Sequence, residues 1–132
     1  MKKIPKISEA ELEVMKVLWS KSPQTANEII QALEGQMDWN PKTVRTLINR
    51  LVKKQVIFSQ QKIGRTYMYG PLISQDDYLQ VETKSFIKRF YGAALKPLLV
   101  NFLQEEELSS KEIDELKRIL DDKNKNNQKE GE

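Results

Sequence analysis

Basic and hydroxyl-bearing side chains recur at short intervals in the stretch NPKTVRTLINRLVKK, which covers residues 40–54. An arginine can donate two hydrogen bonds to the O6 and N7 edge of guanine, and a threonine offers thymine a hydroxyl and a methyl group. The first turns of a recognition helix reach base edges, and the residues there are Lys42, Thr43, Arg45 and Thr46. The chemistry indicated is therefore the reading of double-stranded DNA.

Other polar residues nearby suit contacts with the DNA backbone, which position a protein without reading bases. Arg50 and Lys53 lie farther along the same stretch and suit phosphate contacts, and Arg65, on the tip of a predicted β-hairpin, could reach an adjacent phosphate or the minor groove. Asn49 lies on the same polar face of the predicted helix and is also assigned to DNA binding. The sequence leaves an alternative open for two basic residues. Arg50 or Lys54 could instead form a salt bridge with a glutamate of the first predicted helix.

The distribution of charge supports a polyanionic partner. The chain has 132 residues and a net charge of only +3, yet no acidic residue lies between Asp38 and Asp76. That interval holds seven basic residues, whereas the chain from Gln104 onward has ten acids and six bases. A basic block attracts a polyanion and gains free energy by releasing its counterions. A surface that served only for solvation would carry acidic and basic residues mixed together instead.

Composition also excludes several classes of protein. The chain has no cysteine and no histidine, which removes disulfides, thiolate chemistry, structural zinc and histidine-based catalysis. The acidic clusters lie in or beside predicted helix starts, where carboxylates favourably meet the helix dipole. We therefore expect neither an enzyme nor a cofactor. The N-terminus lacks an apolar signal region and no apolar run approaches the length of a membrane span, so we expect a cytoplasmic protein.

The basic stretch is the third of three predicted helices. Ser8 and Thr25 are each followed three residues later by a glutamate, a capping box that predicts a helix start. Gly35 ends the second helix, because glycine is at ease in the left-handed conformation after a helix C-terminus. Asn40 and Pro41 then predict an N-cap and a first helical residue. The apolar residues of helix 3 fall in an arc of ~100° and predict its buried face: Val44, Leu47, Ile48 and Leu51.

A β-hairpin is predicted after helix 3. The segment VIFSQQKIGRTYMYGP, residues 56–71, has β-branched and aromatic residues on both sides of a polar tip that contains Gly64. Three helices followed by a two-stranded hairpin make a winged helix-turn-helix, with helix 3 in the recognition position. We assign residues 1–73 to this DNA-binding domain, and the predicted fold class is mainly α with a small β-hairpin.

Residues 74–123 are predicted to form three amphipathic helices that make up a dimerisation domain. Two-fold symmetry would let each chain bury the apolar stripe of the other, although packing against the winged helix of the same chain is an alternative. Residues 124–132 contain no apolar side chain and are predicted to be disordered. The residues assigned to the dimer interface are Leu79, Phe86, Phe90, Leu98, Leu99, Phe102, Leu103, Ile113, Leu116 and Leu120.

Several segments together resemble the penicillinase repressor family, BlaI/MecI, in order and spacing up to about residue 122. They are ISEAELEVMKVLW, ANEII, NPKTVRTLINRLVKK, GRTYMYGP, FYGAALKPLLVNFL and LSSKEIDELKRIL. The resemblance implies a homodimeric winged-helix repressor that sits on inverted repeats in the operators of β-lactam resistance genes. A related copper-responsive branch carries cysteine pairs, which this chain lacks.

The resemblance also implies how repression ends. In the family a membrane sensor binds the antibiotic, and the repressor is then cleaved at an Asn-Phe bond in the dimerisation domain. The matching bond here is Asn101-Phe102. No small-molecule ligand is expected for the repressor itself. A second hypothesis stays open, in which the winged helix is a protein-interaction module without sequence-specific DNA binding and its basic face meets an acidic protein partner.

Overall fold

The predicted fold class is confirmed by the computed structural model, which describes residues 4–62, 64–89 and 95–130. These residues form six helices and one two-stranded antiparallel sheet. The elements in chain order are α1 (Glu9–Ser20), α2 (Ala26–Glu34), α3 (Pro41–Lys53), β1 (Ile57–Gln61), β2 (Tyr67–Pro71), α4 (Gln75–Arg89), α5 (Leu95–Glu105) and α6 (Ser110–Glu130).

The chain divides into two compact units, Met1–Ser85 and Phe86–Glu132. The first unit contains α1, α2, α3 and the hairpin, whose apolar side chains make one core. Its largest fully buried members include Met15 and Leu18 of α1, Ile29 of α2 and Leu51 of α3. Since the apolar faces of three short helices converge on one core, the position of α3 is fixed by packing rather than by local propensity.

The predicted helix starts are confirmed. The hydroxyls of Ser8 and Thr25 accept hydrogen bonds from the backbone amides of Glu11 and Glu28, and each glutamate carboxylate accepts one from the backbone amide of its capping residue. Such a capping box satisfies backbone donors that have no partner within the helix. These caps fix where α1 and α2 begin. Helix α2 ends before Gly35 as predicted, but Gly35 has a right-handed φ of −83° instead of the expected left-handed conformation.

A third extended segment joins the hairpin. The backbone of Gln24, just before α2, exchanges two hydrogen bonds with Tyr69 of β2, at 2.9 and 2.8 Å. The Gln24 side chain is buried, and its amide donates to the backbone carbonyls of Val17 and Lys21 at the end of α1. The hairpin is therefore tied to the helices through its second strand.

The start of α4 belongs to the first unit. The indole nitrogen of Trp19 donates a hydrogen bond of 2.9 Å to the carbonyl of Ile73, and its ring lies 5.5 Å from that of the buried Tyr78. The predicted division into a DNA-binding domain ending at residue 73 and a dimerisation domain beginning at residue 74 stays a prediction.

The second unit contains the end of α4, α5 and α6. Ser109 and Glu112 form the capping box predicted for the last helix. Helix α6 runs on to Glu130, so the prediction of disorder from residue 124 differs from the structure. Residues 121–130 contain neither proline nor glycine, so the helix continues through them, and residues 121–128 are exposed. Within the described ranges, no helix is long and apolar enough to cross a membrane.

Candidate nucleic-acid interface

Helix α3 is docked by one face and presents the other to solvent. The Asn40 side chain accepts a hydrogen bond of 2.8 Å from the amide of Thr43, and Pro41 occupies the first turn, where its missing N–H costs nothing. The predicted buried face is confirmed, since its four residues are at most 4% exposed: Val44, Leu47, Ile48 and Leu51. The polar residues of α3 must therefore face outward.

The residues of α3 that are predicted to contact DNA lie on that outward face, except that Thr43 is only partly exposed. The exposed ones on α3 are Lys42, Arg45, Thr46, Asn49, Arg50 and Lys53. Thr43 is half-buried, and its hydroxyl donates to Asn40 Oδ1 at 3.2 Å. The Thr46 hydroxyl donates to the carbonyl of Lys42 at 3.0 Å, which leaves its lone pairs and methyl group for a ligand. Thr43 therefore supports the N-cap and is only partly accessible to a ligand.

A contact that the sequence did not predict orients Arg45. Its guanidinium Nη2 donates a hydrogen bond of 2.8 Å to the side-chain oxygen of Asn27, an exposed residue in the first turn of α2. The two residues are 18 positions apart in the chain. No periodicity or motif relates positions on two different helices, so only the folded arrangement of α2 and α3 reveals this pair.

Of Arg50 and Lys54, only Lys54 forms the salt bridge with a glutamate of α1 that the sequence left open. Lys54 Nζ lies 2.5 Å from the Oε1 atom of Glu11 and 2.9 Å from the carbonyl oxygen of Lys6, so it ties the end of α3 to α1. Burial raises the pKa of Glu11, but the hydrogen bonds from Lys54 and from Ser8 outweigh it and hold that pKa below its ordinary value. Arg50 is exposed and forms no ion pair within the described ranges. Lys54 therefore supports the fold, whereas Arg50 remains available to a ligand.

The hairpin projects a second basic surface. Strands β1 and β2 pair from Ile57 opposite Pro71 to Gln61 opposite Tyr67. The tip between them is closed by a hydrogen bond from the amide of Lys62 to the carbonyl of Thr66. Gly64 and Arg65 have positive φ angles of 83° and 68°, so the chain reverses tightly and Arg65 is exposed at the tip.

The residues assigned to the dimer interface remain accessible in the single chain. Phe90 lies outside the described residues, and Phe86 and Leu98 are half-buried. The others are between 37% and 63% exposed: Leu79, Leu99, Phe102, Leu103, Ile113, Leu116 and Leu120. Over the described parts of the second unit, no side chain with an assigned burial is buried. The apolar residues of α5 and α6 therefore lack a core within their own unit.

An apolar groove of about 440 Å³ lies in the second unit around the predicted cleavage bond. Its lining consists of Phe86, Leu98, Leu99, Asn101 and Phe102. Asn101 and Phe102 are both exposed, and the peptide bond between them lies inside α5. The side chains on both sides of the bond are therefore accessible, but the peptide bond itself is held in helical geometry.

Comparison with known proteins shows the family. The model of the penicillinase repressor family matches residues 7–122, and the chain belongs to this family. It is 46% identical to the penicillinase repressor of Bacillus licheniformis, over 98% of this chain and 100% of that protein. It is 42% identical to the methicillin resistance regulatory protein MecI of Staphylococcus aureus, over 89% of this chain and 94% of that protein. The predicted family is confirmed.

A solved structure is similar to the winged-helix portion. The solution structure of monomeric Bacillus licheniformis BlaI in complex with the blaP half-operator matches 59% of this chain and 94% of that chain. The sequence identity is 47% and the TM-score is 0.52. The predicted winged helix-turn-helix is thereby confirmed as the fold of the N-terminal part.

Proposed function

We propose that this protein is a homodimeric transcriptional repressor that acts in the cytoplasm on inverted-repeat operators of β-lactamase or methicillin-resistance-type genes. Its relatives include proteins named penicillinase repressor and MecI, and a similar structure is a complex with a half-operator. Arg45, Thr46 and Lys42 would contact bases, whereas Arg50, Lys53 and Arg65 would contact the DNA backbone. Thr43 and Asn49 complete the proposed DNA-binding set.

The observation that carries this proposal is the outward face of α3. Helix α3 buries Val44, Leu47, Ile48 and Leu51, and after Pro41 its exposed side chains are all basic, hydroxyl or amide, within a block of 37 residues that contains no acid. Lysine and arginine neutralise phosphates and release counterions, while arginine, threonine and asparagine can read base edges. A helix face that served only for solubility could also carry aspartate and glutamate, so solubility alone does not explain the absence of carboxylates.

The second unit supports the dimeric part of the proposal. Most of its apolar side chains with an assigned burial are exposed in the single chain, and burying apolar surface stabilises an assembly by about 25 cal/mol per Å². A two-fold axis would pair the same stripe on two chains and place two copies of α3 on two half-sites. Linking two half-sites can raise affinity by ~10²–10⁴ without any new contact to DNA.

Cleavage at Asn101-Phe102 would end repression by removing that linkage. The cut would detach Phe102, Leu103 and all of α6, including Ile113, Leu116 and Leu120. A protease needs an extended chain, so the bond within α5 must open locally before it is cut. We place the repressor downstream of a membrane β-lactam sensor and its protease pathway, with which no direct contact is needed.

The test is a titration of two duplexes by fluorescence anisotropy. One duplex carries the inverted repeat of the promoter beside the protein's own gene, and the other carries the same bases in scrambled order. We expect tighter binding to the inverted repeat and a slope of log K against log salt of about −0.9 for each phosphate contact. Equal affinity for both duplexes, or affinity only for an acidic protein, would favour a protein-interaction module instead.

A further inference from the structure

The pairing between Arg45 and Asn27 places a hydrogen-bond acceptor beside the arginine most suited to read a base. Arg45 lies in the second turn of α3, and Asn27 lies in the first turn of α2. The Nη2 to Oδ1 distance of 2.8 Å is that of a well-formed hydrogen bond. Both side chains are exposed, so packing alone does not hold either of them.

We propose that Asn27 is a positioning residue for DNA reading, which holds the Arg45 guanidinium in the orientation that a base contact requires. The inference rests on the proposed function and adds a specificity-determining residue outside the recognition helix. A free arginine side chain samples many rotamers, and a bidentate contact with guanine accepts only a few of them. Fixing the side chain before DNA arrives lowers the entropy lost on binding.

The chemistry of the pair suits this role because the acceptor is neutral. An aspartate at position 27 would hold Arg45 as well, but its charge would cancel part of the attraction to phosphates. An amide oxygen takes one of the five N–H donors of the guanidinium and leaves four, which are enough for a bidentate base contact. The full positive charge of Arg45 thus remains available to DNA.

Asn27 retains donors of its own. Within the described ranges its Nδ2 group makes no hydrogen bond, so both N–H groups are available to water or to a phosphate. A direct phosphate contact by Asn27 is the competing explanation for any loss of binding. The experiment must therefore separate an effect through Arg45 from an effect on the DNA backbone.

The test is a double-mutant cycle on the full-length protein, with anisotropy titrations of the inverted-repeat and scrambled duplexes. Discrimination is the ratio of the two dissociation constants. We expect Asn27→Ala to lower discrimination by about 2- to 12-fold, the range that fixing one flexible side chain is worth. In an Arg45→Ala background the same substitution should change discrimination by less than about 2-fold, since coupled residues are not additive.

Two further variants sharpen the interpretation. Asn27→Asp keeps the acceptor and should preserve discrimination while weakening binding to both duplexes, because its carboxylate repels phosphates. Gln31→Ala removes another exposed amide one turn along α2 and should leave discrimination unchanged. Thermal unfolding of each variant checks that the fold is intact.

The outcomes separate three explanations. If Asn27→Ala weakens binding to both duplexes equally, Asn27 contacts phosphate and the positioning role is wrong. If the losses from Asn27→Ala and Arg45→Ala simply add, the two residues act independently and the proposal also fails. If the unmodified protein does not discriminate between the duplexes, the proposed function itself is contradicted. NMR relaxation of the Arg45 Nε–H group without DNA should show greater mobility in Asn27→Ala, and unchanged mobility would overturn the proposal.

Discussion

Lys54, the residue that caps the C-terminus of α3, donates a hydrogen bond of 2.5 Å to the carboxylate of Glu11 in α1. Glu11 is only 2% exposed, so its charge is separated from water and depends on this partner and on the amide of Ser8. One basic residue of the acid-free block is therefore used to dock the recognition helix rather than to attract DNA.

Replacing Lys54 should destabilise the first unit. Lys54→Met keeps much of the side-chain volume but leaves the Glu11 carboxylate without its cation, at a cost of about 1–3 kcal/mol in the free energy of unfolding. Urea unfolding followed by circular dichroism measures this cost. Lys53→Met is the matched control, because Lys53 is exposed and forms no ion pair in the described part of the chain. Equal stability of the two variants would contradict a structural role for Lys54.

The same ion pair predicts how stability depends on pH. Since the pKa of Glu11 is lowered in the folded state, its contribution is fully present above the ordinary glutamate pKa of about 4.3. That contribution is lost as pH falls through the lowered folded pKa. We expect the stability difference between the unmodified protein and Glu11→Gln to be largest near neutral pH and to shrink in acid. A difference that stays constant across this range would show that ionised Glu11 contributes nothing.

Arg45 and Arg50 should respond differently to truncation. Arg45→Ala removes a proposed bidentate base contact and should cost ~1–3 kcal/mol on the operator duplex but much less on scrambled DNA. Arg50→Ala removes a proposed phosphate contact, so it should weaken both duplexes alike and reduce the salt slope by about 0.9. Equal losses on both duplexes for Arg45→Ala would reassign that residue to the DNA backbone. Neither side chain packs in the core, so both variants should unfold at the temperature of the unmodified protein.

A chain truncated after Asn101 should mimic the product of cleavage. It keeps the whole first unit, with every residue proposed to contact DNA, and loses the exposed apolar stripe of α6. We expect sedimentation velocity to show mostly monomer, with the helical circular dichroism of the first unit retained. A truncated protein that still dimerises and holds the operator as tightly as the full chain would rule out this route of induction.

Most of the framework could be predicted from the sequence because its signals are local. The capping boxes, the Asn40-Pro41 start and the apolar arc of α3 each act within one helix, and the structure places them as predicted. Local signals cannot reveal a pairing between distant segments. The single bridge between Gln24 and Tyr69 is too short to show a strand period, and it was therefore missed.

The candidate site was predicted as a set of residues but not as an arrangement. The side chains of α3 that face outward lie opposite its buried face, and the apolar periodicity of the helix predicts that buried face. The partner of Arg45 lies on another helix, and the choice between Arg50 and Lys54 as the partner of Glu11 depends on tertiary geometry. The end of α6 was missed for a different reason, since a polar segment without a helix breaker can be either helical or disordered.

The central claim is that two chains, joined through the second unit, read two half-sites together. It is tested most directly by titrating the full-length protein into an inverted-repeat duplex and into a duplex with one half-site, with sedimentation velocity to count the chains bound. We predict two chains on the inverted repeat, bound in one cooperative step, and affinity for the single half-site that is lower by ~10²–10⁴. One chain per inverted repeat, or independent filling of the two half-sites with the affinity of the single one, would contradict the claim.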